Sequence, residues 1–192
     1  MRSFIQSLHA ADHLTEFERD KLSKGIYEQD VKKGVVLQTA GDIQGKAFYV
    51  KKGLLRSYTI DEKGKEHVFM FGPEGWVVGD FELHTGSSAV LMVDAIEDSV
   101  VEVVNLSILE EVSQLIPQTE VPFEINRLMN RVRVLQKRII LLMSATAIER
   151  YEDFVETYPD IVQRVPQRMI ASYLGVTPEA LSKVKGEFLK GK

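Results

Sequence analysis

The rhythm of apolar and polar positions changes twice along the chain, and each change predicts a different kind of element. Near the start, Thr15-Glu16-Phe17-Glu18 is a capping box: the Thr hydroxyl and the Glu carboxylate each satisfy an N–H that the first helical turn leaves open. It predicts a short helix with Phe17, Leu22 and Leu14 turned inward. From about Val31 the pattern becomes short runs of β-branched and aromatic residues, VVLQTAG, AFYVKKG, LLRSYTIDEKG, KEHVFMFGPEG, WVVGDFE, AVLMVDAI and SVVEVVN. Strands repeating every ~8–12 residues predict a sandwich, barrel or roll. Asp61-Glu62-Lys63-Gly64-Lys65 predicts a hairpin turn, because Asp and Gly tolerate the backbone angles such turns require. Gly53, Gly64, Gly75 and Gly86 stand 11 apart, a spacing that fits either hairpin length alone or a repeated unit.

After Asn105 the pattern turns helical. Ser107-Ile108-Leu109-Glu110 is a second capping box and predicts a short helix ending before Pro117. Ile125, Leu128, Val132, Leu135, Ile139 and Leu142 then recur at spacings of 3, 4, 3, 4 and 3, an a/d seam sustained for nearly three heptads. Its other faces carry Arg127, Arg131, Arg133, Lys137 and Arg138. A helix packed on its own β domain shows a broader apolar stripe, so this narrow seam predicts a two-helix contact between subunits, with intrachain packing as the alternative. Near Ser144-Ala145-Thr146 the seam turns polar and predicts a hinge. Thr146 and Glu149 form a third capping box, and the helix AIERYEDFVETY stops at Pro159.

In VPQRMIASYLGVTPEALSKVKGEF, Pro166 opens one helix and Gly175 closes it in the left-handed conformation. Thr177 caps a second helix that Pro178 opens. Ala171 permits close crossing of the two, with Ile170, Leu174, Val176, Leu181 and Val184 as buried positions. Ala171, Gly175 and Leu181 lie at offsets 0, +4 and +10, the spacing of a helix-turn-helix. Such patterns also occur in purely structural helical hairpins. If the second helix enters the major groove, its outward face presents Glu179, Ser182, Lys183 and Gly186. Glu179 can accept from cytosine N4 or simply complement its helix N-terminus; Lys183 can donate to guanine or phosphate or remain solvated. Thr177 and Ser182 can reach phosphate or base edges, and Gln167 and Arg168 suit backbone phosphates.

Charge supports this division. The 192 residues carry a net charge of −4, but residues 1–126 hold 12 Lys and Arg against 21 Asp and Glu, whereas 127–192 hold 12 against 7. The basic C-terminal part is the footprint of a nucleic-acid contact surface. Ten of the 13 glycines fall between 25 and 86, and none between 87 and 174, which separates a turn-rich region from a helical one. A hydrophobic fraction of 44% with 27% charged residues is ordinary for a globular protein. With no apolar run near the ~18 residues a bilayer needs and no signal-peptide pattern, a cytoplasmic protein without a membrane partner is expected. The absence of cysteine excludes disulfides, thiolate metal sites and iron–sulfur clusters in this chain. His9 and His13 are four apart but lack a third ligand, and His67 and His84 read as ordinary polar residues, so no metal and no resident cofactor is expected. No P-loop, nucleophile elbow, HExxH or dinucleotide fingerprint is present, and an enzyme is not expected.

GDIQGKAFYVKKGLLRSYTIDEKGKEHVFMFGPEGWVVGDFE resembles the β-roll of the Crp/Fnr transcription regulators and wider cyclic-nucleotide-binding domains, and IASYLGVTPEALSKVK resembles their helix-turn-helix. The resemblance extends over nearly the whole chain from about Leu14. It implies an α+β fold: an antiparallel, jelly-roll-like β-roll effector domain over 1–118, a dimerisation helix over 119–144 and an all-α helix-turn-helix domain over 145–192. It further implies a bacterial homodimer that binds double-stranded DNA at a palindromic operator, contacts RNA polymerase and answers to a small effector. The alternative is a small-molecule or protein interaction module with a vestigial helix-turn-helix.

Two departures from the family pattern bear on function. Cyclic-nucleotide binders clamp the ribose and phosphate with a Gly-Glu pair and a later Arg; here the matching stretch offers Gly79, Asp80, Phe81, Ser87, Ser88 and Ala89, with Ser87 where the Arg belongs. A buried phosphate anion wants a guanidinium, so the expected effector is not a cyclic nucleotide. Arg56 is a second possible cation, unless it is a solvated strand residue. The chain also reaches Lys192 soon after Phe188, where many relatives carry a β-hairpin wing, and has Pro178 where relatives often carry a base-reading Arg. These predict weaker DNA affinity, offset by Lys185, Lys190 and Lys192.

Overall fold

The computed structural model describes residues 3–8, 14–43, 45–79, 88–113, 133 and 135–190. They form two compact units, one of residues 1–59 with 69–124 and one of residues 60–68 with 125–192.

Two antiparallel four-stranded sheets make the first architecture. The strands are β1 (Ile26–Val31), β2 (Val36–Gln38), β3 (Lys46–Lys52), β4 (Leu55–Ile60), β5 (Glu66–Gly72), β6 (Val77–Val78), β7 (Met92–Ala95) and β8 (Ser99–Asn105). One sheet has the order β1-β8-β3-β6 and the other β2-β7-β4-β5, so strands distant in sequence lie side by side, as in a jelly-roll-like β-roll. Val31, Phe48, Val50, Leu55, Val78, Val93, Ala95, Val101 and Val103 pack into one core. The alternate residues of β3, Ala47 and Tyr49, face the other way and are covered by α1 (Phe4–Ser7), whose Phe4 ring meets Tyr49 edge-on at 5.9 Å. Both faces of β3 are thereby buried, which is why its sequence shows no alternation.

Local signals placed most elements. Thr15 and Glu18 form the expected capping box at the start of α2 (Glu16–Lys24). Leu14 and Leu22 are buried, but Phe17 is 70% exposed, because it sits on the opposite side of this short helix. At the β4–β5 turn, Asp61 N–H donates to the Lys65 carbonyl, and its carboxylate accepts from the Lys63 and Lys65 amides. Gly53, Gly64 and Gly75 lie at successive strand connections, each with positive φ. At Gly53 no larger residue fits, since a Cβ would strike Ser99.

Three further expectations need correction. The strand β1 precedes Val31: its Tyr27, Glu28 and Asp30 are exposed, so no apolar alternation announces it, yet all six of its residues pair with β8. The capping box at Ser107 does not form. The helix α3 (Leu106–Ser113) begins one residue earlier, and Asn105 Oδ1 accepts from both the N–H and the hydroxyl of Ser107. Val176 is half-buried rather than buried. Pro117 and Gly86 lie outside the described residues.

In the second unit, helical residues 135–144 (α4) stop at the expected polar break. The third capping box, Thr146 with Glu149, opens α5 (Ala147–Thr157). Then come α6 (Ile161–Arg164), α7 (Gln167–Leu174) and α8 (Pro178–Lys190). Their core joins Phe154, Ile161, Val165, Ile170, Ala171, Leu174, Leu181 and Val184. Tyr158 and Tyr173 stack around Phe154 at centroid distances of 5.3 to 5.9 Å, and Tyr151 meets Phe188 edge-on at 5.4 Å. Burial holds the Tyr158 phenol well above its ordinary range.

Candidate nucleic-acid interface

At the α7–α8 corner the carbonyls that end α7 all find partners. Gly175 takes φ 68° and ψ 34°, the left-handed cap, and its N–H donates to the carbonyl of Ser172 at 3.1 Å while Val176 N–H donates to that of Ala171 at 3.0 Å. The two remaining carbonyls at this helix end are taken by arginines. Arg138 reaches the Tyr173 oxygen at 3.2 Å and Arg150 the Leu174 oxygen at 2.8 Å. Cations at a helix C-terminus also oppose the negative end of its dipole. Residues 171–174 therefore have every carbonyl satisfied, and the turn is held from both sides.

Two residues further on, Thr177 caps α8: its hydroxyl accepts from Ala180 N–H at 3.2 Å. The carboxylate of Glu179 bonds its own backbone N–H and the Thr177 hydroxyl, which holds it below the usual carboxylate range. Ser182 donates to the Pro178 carbonyl at 3.2 Å. The structure leaves Gln167, Arg168, Thr177, Glu179, Ser182, Lys183 and Gly186 all exposed, while Ile170, Ala171, Leu174, Leu181 and Val184 are buried. The helix pair thus presents one polar, cation-bearing face and buries the other. Of the face residues, Glu179 and Ser182 already have partners within their own helix.

Sequence reasoning missed three residues here. Arg138, placed by the sequence only on a flank of the seam, is half-buried: one guanidinium nitrogen donates to the Val68 carbonyl at 3.0 Å and to the Tyr173 carbonyl, and its carbon lies 4.1 Å from the Tyr173 ring centre. Burial lowers its pKa from the ordinary arginine value. Ser172, not singled out by any motif, bonds the backbone of Glu66 and Val68. Lys137 pairs with Asp153 on the neighbouring helix. No local pattern marks such residues, because their partners lie on other elements.

Of the seam, Leu135 is half-buried, Ile139 is 56% exposed and Leu142 is 42% exposed, with Ile140 and Met143 exposed beside them. Ile125, Leu128 and Val132 lie outside the described residues.

Of the six effector-pocket candidates, Asp80, Phe81 and Ser87 lie outside the described residues. Gly79 and Ala89 are buried, and Ser88 is exposed and bridges to Ile43. Arg56 is neither solvated nor a spare cation. It is buried and held by both carboxylate oxygens of Asp94, its register partner on β7. His67 sits on β5 with Nε2 2.8 Å from Asp61 Oδ2; His9, His13 and His84 lie outside the described residues. Among the described residues, no group of three or more His, Asp or Glu side chains is placed to hold a metal ion, and no helix is long and apolar enough to cross a membrane.

Comparison with known proteins follows this architecture. Residues 28–114 match the family model of the cyclic nucleotide-binding domain. The fumarate and nitrate reduction regulatory protein of Vibrio cholerae is 31% identical over 195 aligned residues, covering 93% of this chain and 76% of that protein. The anaerobic regulatory protein of Haemophilus influenzae is 28% identical, covering 92% and 73%. Among solved structures, FixK2 of Bradyrhizobium japonicum superposes with a TM-score of 0.75 at 23% identity, covering 86% of this chain and 85% of that one. A mutant of CooA from Carboxydothermus hydrogenoformans gives a TM-score of 0.70 at 19% identity, covering 95% and 84%.

Proposed function

Because the chain belongs to the Crp/Fnr family of DNA-binding transcription regulators, we propose that it acts as a homodimer that reads a palindromic operator through α8 and is controlled by a small effector at its β-roll. The observation that carries the proposal is the α7–α8 corner: a capped helix-turn-helix that buries Ile170, Ala171, Leu174, Leu181 and Val184 and leaves Gln167, Arg168, Thr177 and Lys183 exposed on one face. In this reading Lys183 meets a base edge or phosphate in the major groove, and Gln167 and Arg168 fix register on the backbone. Glu179 and Ser182 belong to the same face, and both keep free acceptor lone pairs for a base edge beside the bonds they already make.

The second chain of the dimer joins along the seam of Leu135, Ile139 and Leu142, a pattern that the sequence alone extends to Ile125, Leu128 and Val132. Exposure of Ile139, Ile140 and Met143 in the single chain supports this partner. A two-fold dimer presents two recognition helices about one DNA turn apart, which selects inverted repeats and leaves other surfaces for RNA polymerase.

The effector is not a cyclic nucleotide in this proposal. Ser87 stands where cyclic-nucleotide binders carry Arg, and Arg56 is committed to Asp94, so neither supplies a cation to a phosphate. Thiolate-bound iron–sulfur chemistry does not fit a chain without cysteine. Selection of random duplexes on the purified protein tests the function: enrichment of an inverted repeat is expected, and no enrichment at low salt would sink the idea.

A further inference from the structure

In the sheet order β2-β7-β4-β5, β5 is the last of the described strands, so the outward groups of its first residues need partners beyond the sheet. They find them on helices. Ser172 of α7 donates its hydroxyl to the Glu66 carbonyl at 2.8 Å and accepts from the Val68 N–H at 2.9 Å. One side chain thereby imitates the residue of a neighbouring strand, bridging a carbonyl and the N–H two residues further on as a parallel partner does. The next outward group, the Val68 carbonyl, accepts from Arg138 of α4 at 3.0 Å, and the same guanidinium nitrogen reaches the Tyr173 carbonyl. Three successive edge groups of one strand are thus gripped by two adjacent helices. All of these residues belong to the second unit, which includes the hairpin end 60–68.

From this arrangement we infer that Ser172 and Arg138 are positioning residues for DNA recognition, which hold α7, and α8 with it, against the 66–68 segment of their own unit. The inference rests on the DNA-binding reading above. The physical reason is preorganisation: a helix pair held in its binding orientation does not lose that freedom again on association. The clasp uses the side of α7 that carries Ser172, and Gln167, Arg168, Thr177 and Lys183 remain exposed while it is closed. It is therefore compatible with a DNA-competent state. Neither residue needs to touch DNA.

The test combines backbone hydrogen exchange with DNA titrations on the full chain. In Ser172→Ala, the Val68 amide is expected to exchange roughly tenfold faster or more, and affinity for the selected operator to fall by about five- to tenfold. The salt slope should stay unchanged, since no phosphate contact is removed. Ser172→Thr, which keeps the hydroxyl, should restore both readouts. Arg138→Lys, which keeps the charge but loses the planar fork, should weaken binding in the same manner. Arg168→Ala serves as the contrast, lowering the salt slope while leaving the Val68 amide protected. Binding by Ser172→Ala within about twofold of wild type, or a lowered salt slope in that variant, would overturn the clasp while the DNA reading stands. Failure of the wild-type protein to bind duplex DNA at low salt would overturn both.

Discussion

Arg56 and Asp94 face each other across β4 and β7 and share two hydrogen bonds, Nε to Oδ1 and Nη2 to Oδ2, each 2.8 Å long. At 3% and 8% exposure both are withdrawn from water, and the guanidinium also lies 4.0 Å from the centre of the Tyr58 ring. Such a pair gives little net stability compared with an apolar replacement, but losing one partner strands a buried charge. Arg56→Met is therefore expected to destabilise the β-roll by about 3–5 kcal/mol, whereas the double variant with Asp94→Leu recovers most of that loss. Denaturant unfolding of the two single variants and the double variant measures the difference.

Gly175 turns the recognition corner at φ 68°, a conformation that costs a residue with a Cβ about 1–2 kcal/mol. An added Cβ would stand 3.4 Å from Leu142 Cδ2, in van der Waals contact, so the cost is the backbone conformation. Gly175→Ala should lower the thermal midpoint accordingly, with Gly175→Asn less affected. Equal midpoints for all three proteins would show that the corner carries no strain.

Ile139 projects from α4 more than half exposed. If the seam joins two chains, Ile139→Glu places an unpaired charge in their interface and should weaken dimerisation by at least about 3 kcal/mol, over a hundredfold in dissociation constant. Sedimentation at micromolar concentration should then show a monomer whose helical circular dichroism is unchanged. A variant that remains fully dimeric would place the contact elsewhere.

Lys183 and Arg168 stand on successive helices of the exposed face. Lys183→Ala is expected to cost about 1–3 kcal/mol and to relax preference at one operator position, while Arg168→Ala weakens all sequences alike and reduces the salt slope by about 1. Binding titrations over a salt series, on matched and singly mismatched duplexes, separate the two behaviours.

Glu149 accepts from both the N–H and the hydroxyl of Thr146, at 2.7 Å each, and these bonds hold its carboxyl below the ordinary range. Because the folded value lies below the unfolded one, the bonds contribute fully above the unfolded carboxylate range. Their contribution is lost as pH falls through the depressed folded value. Glu149→Gln should therefore show a shallower loss of stability between about pH 5 and pH 3 than the wild-type protein. Denaturant midpoints across that interval supply the comparison.

The features legible in the sequence are those whose partners lie within a few residues. Thr15 with Glu18 and Thr146 with Glu149 are three apart, the Asp61 turn closes over four, and the Gly175 cap bonds carbonyls three and four positions back. Chemistry at such range depends on residue type and spacing alone, so the caps, the hairpin, the helix-turn-helix and the family likeness could all be read from the chain. The tertiary structure decided the rest. Arg56 finds Asp94 38 positions away, Arg138 finds Val68 across 70, and Ser172 finds Glu66 across 106. Phe17 faces solvent, and β1 is a strand because β8 supplies its bonds. A polar side chain carries the same donors and acceptors whether it is solvated, paired or clasping a strand edge. Only the fold decides which of these partners is within reach, and so whether the group is a surface charge or a positioning device.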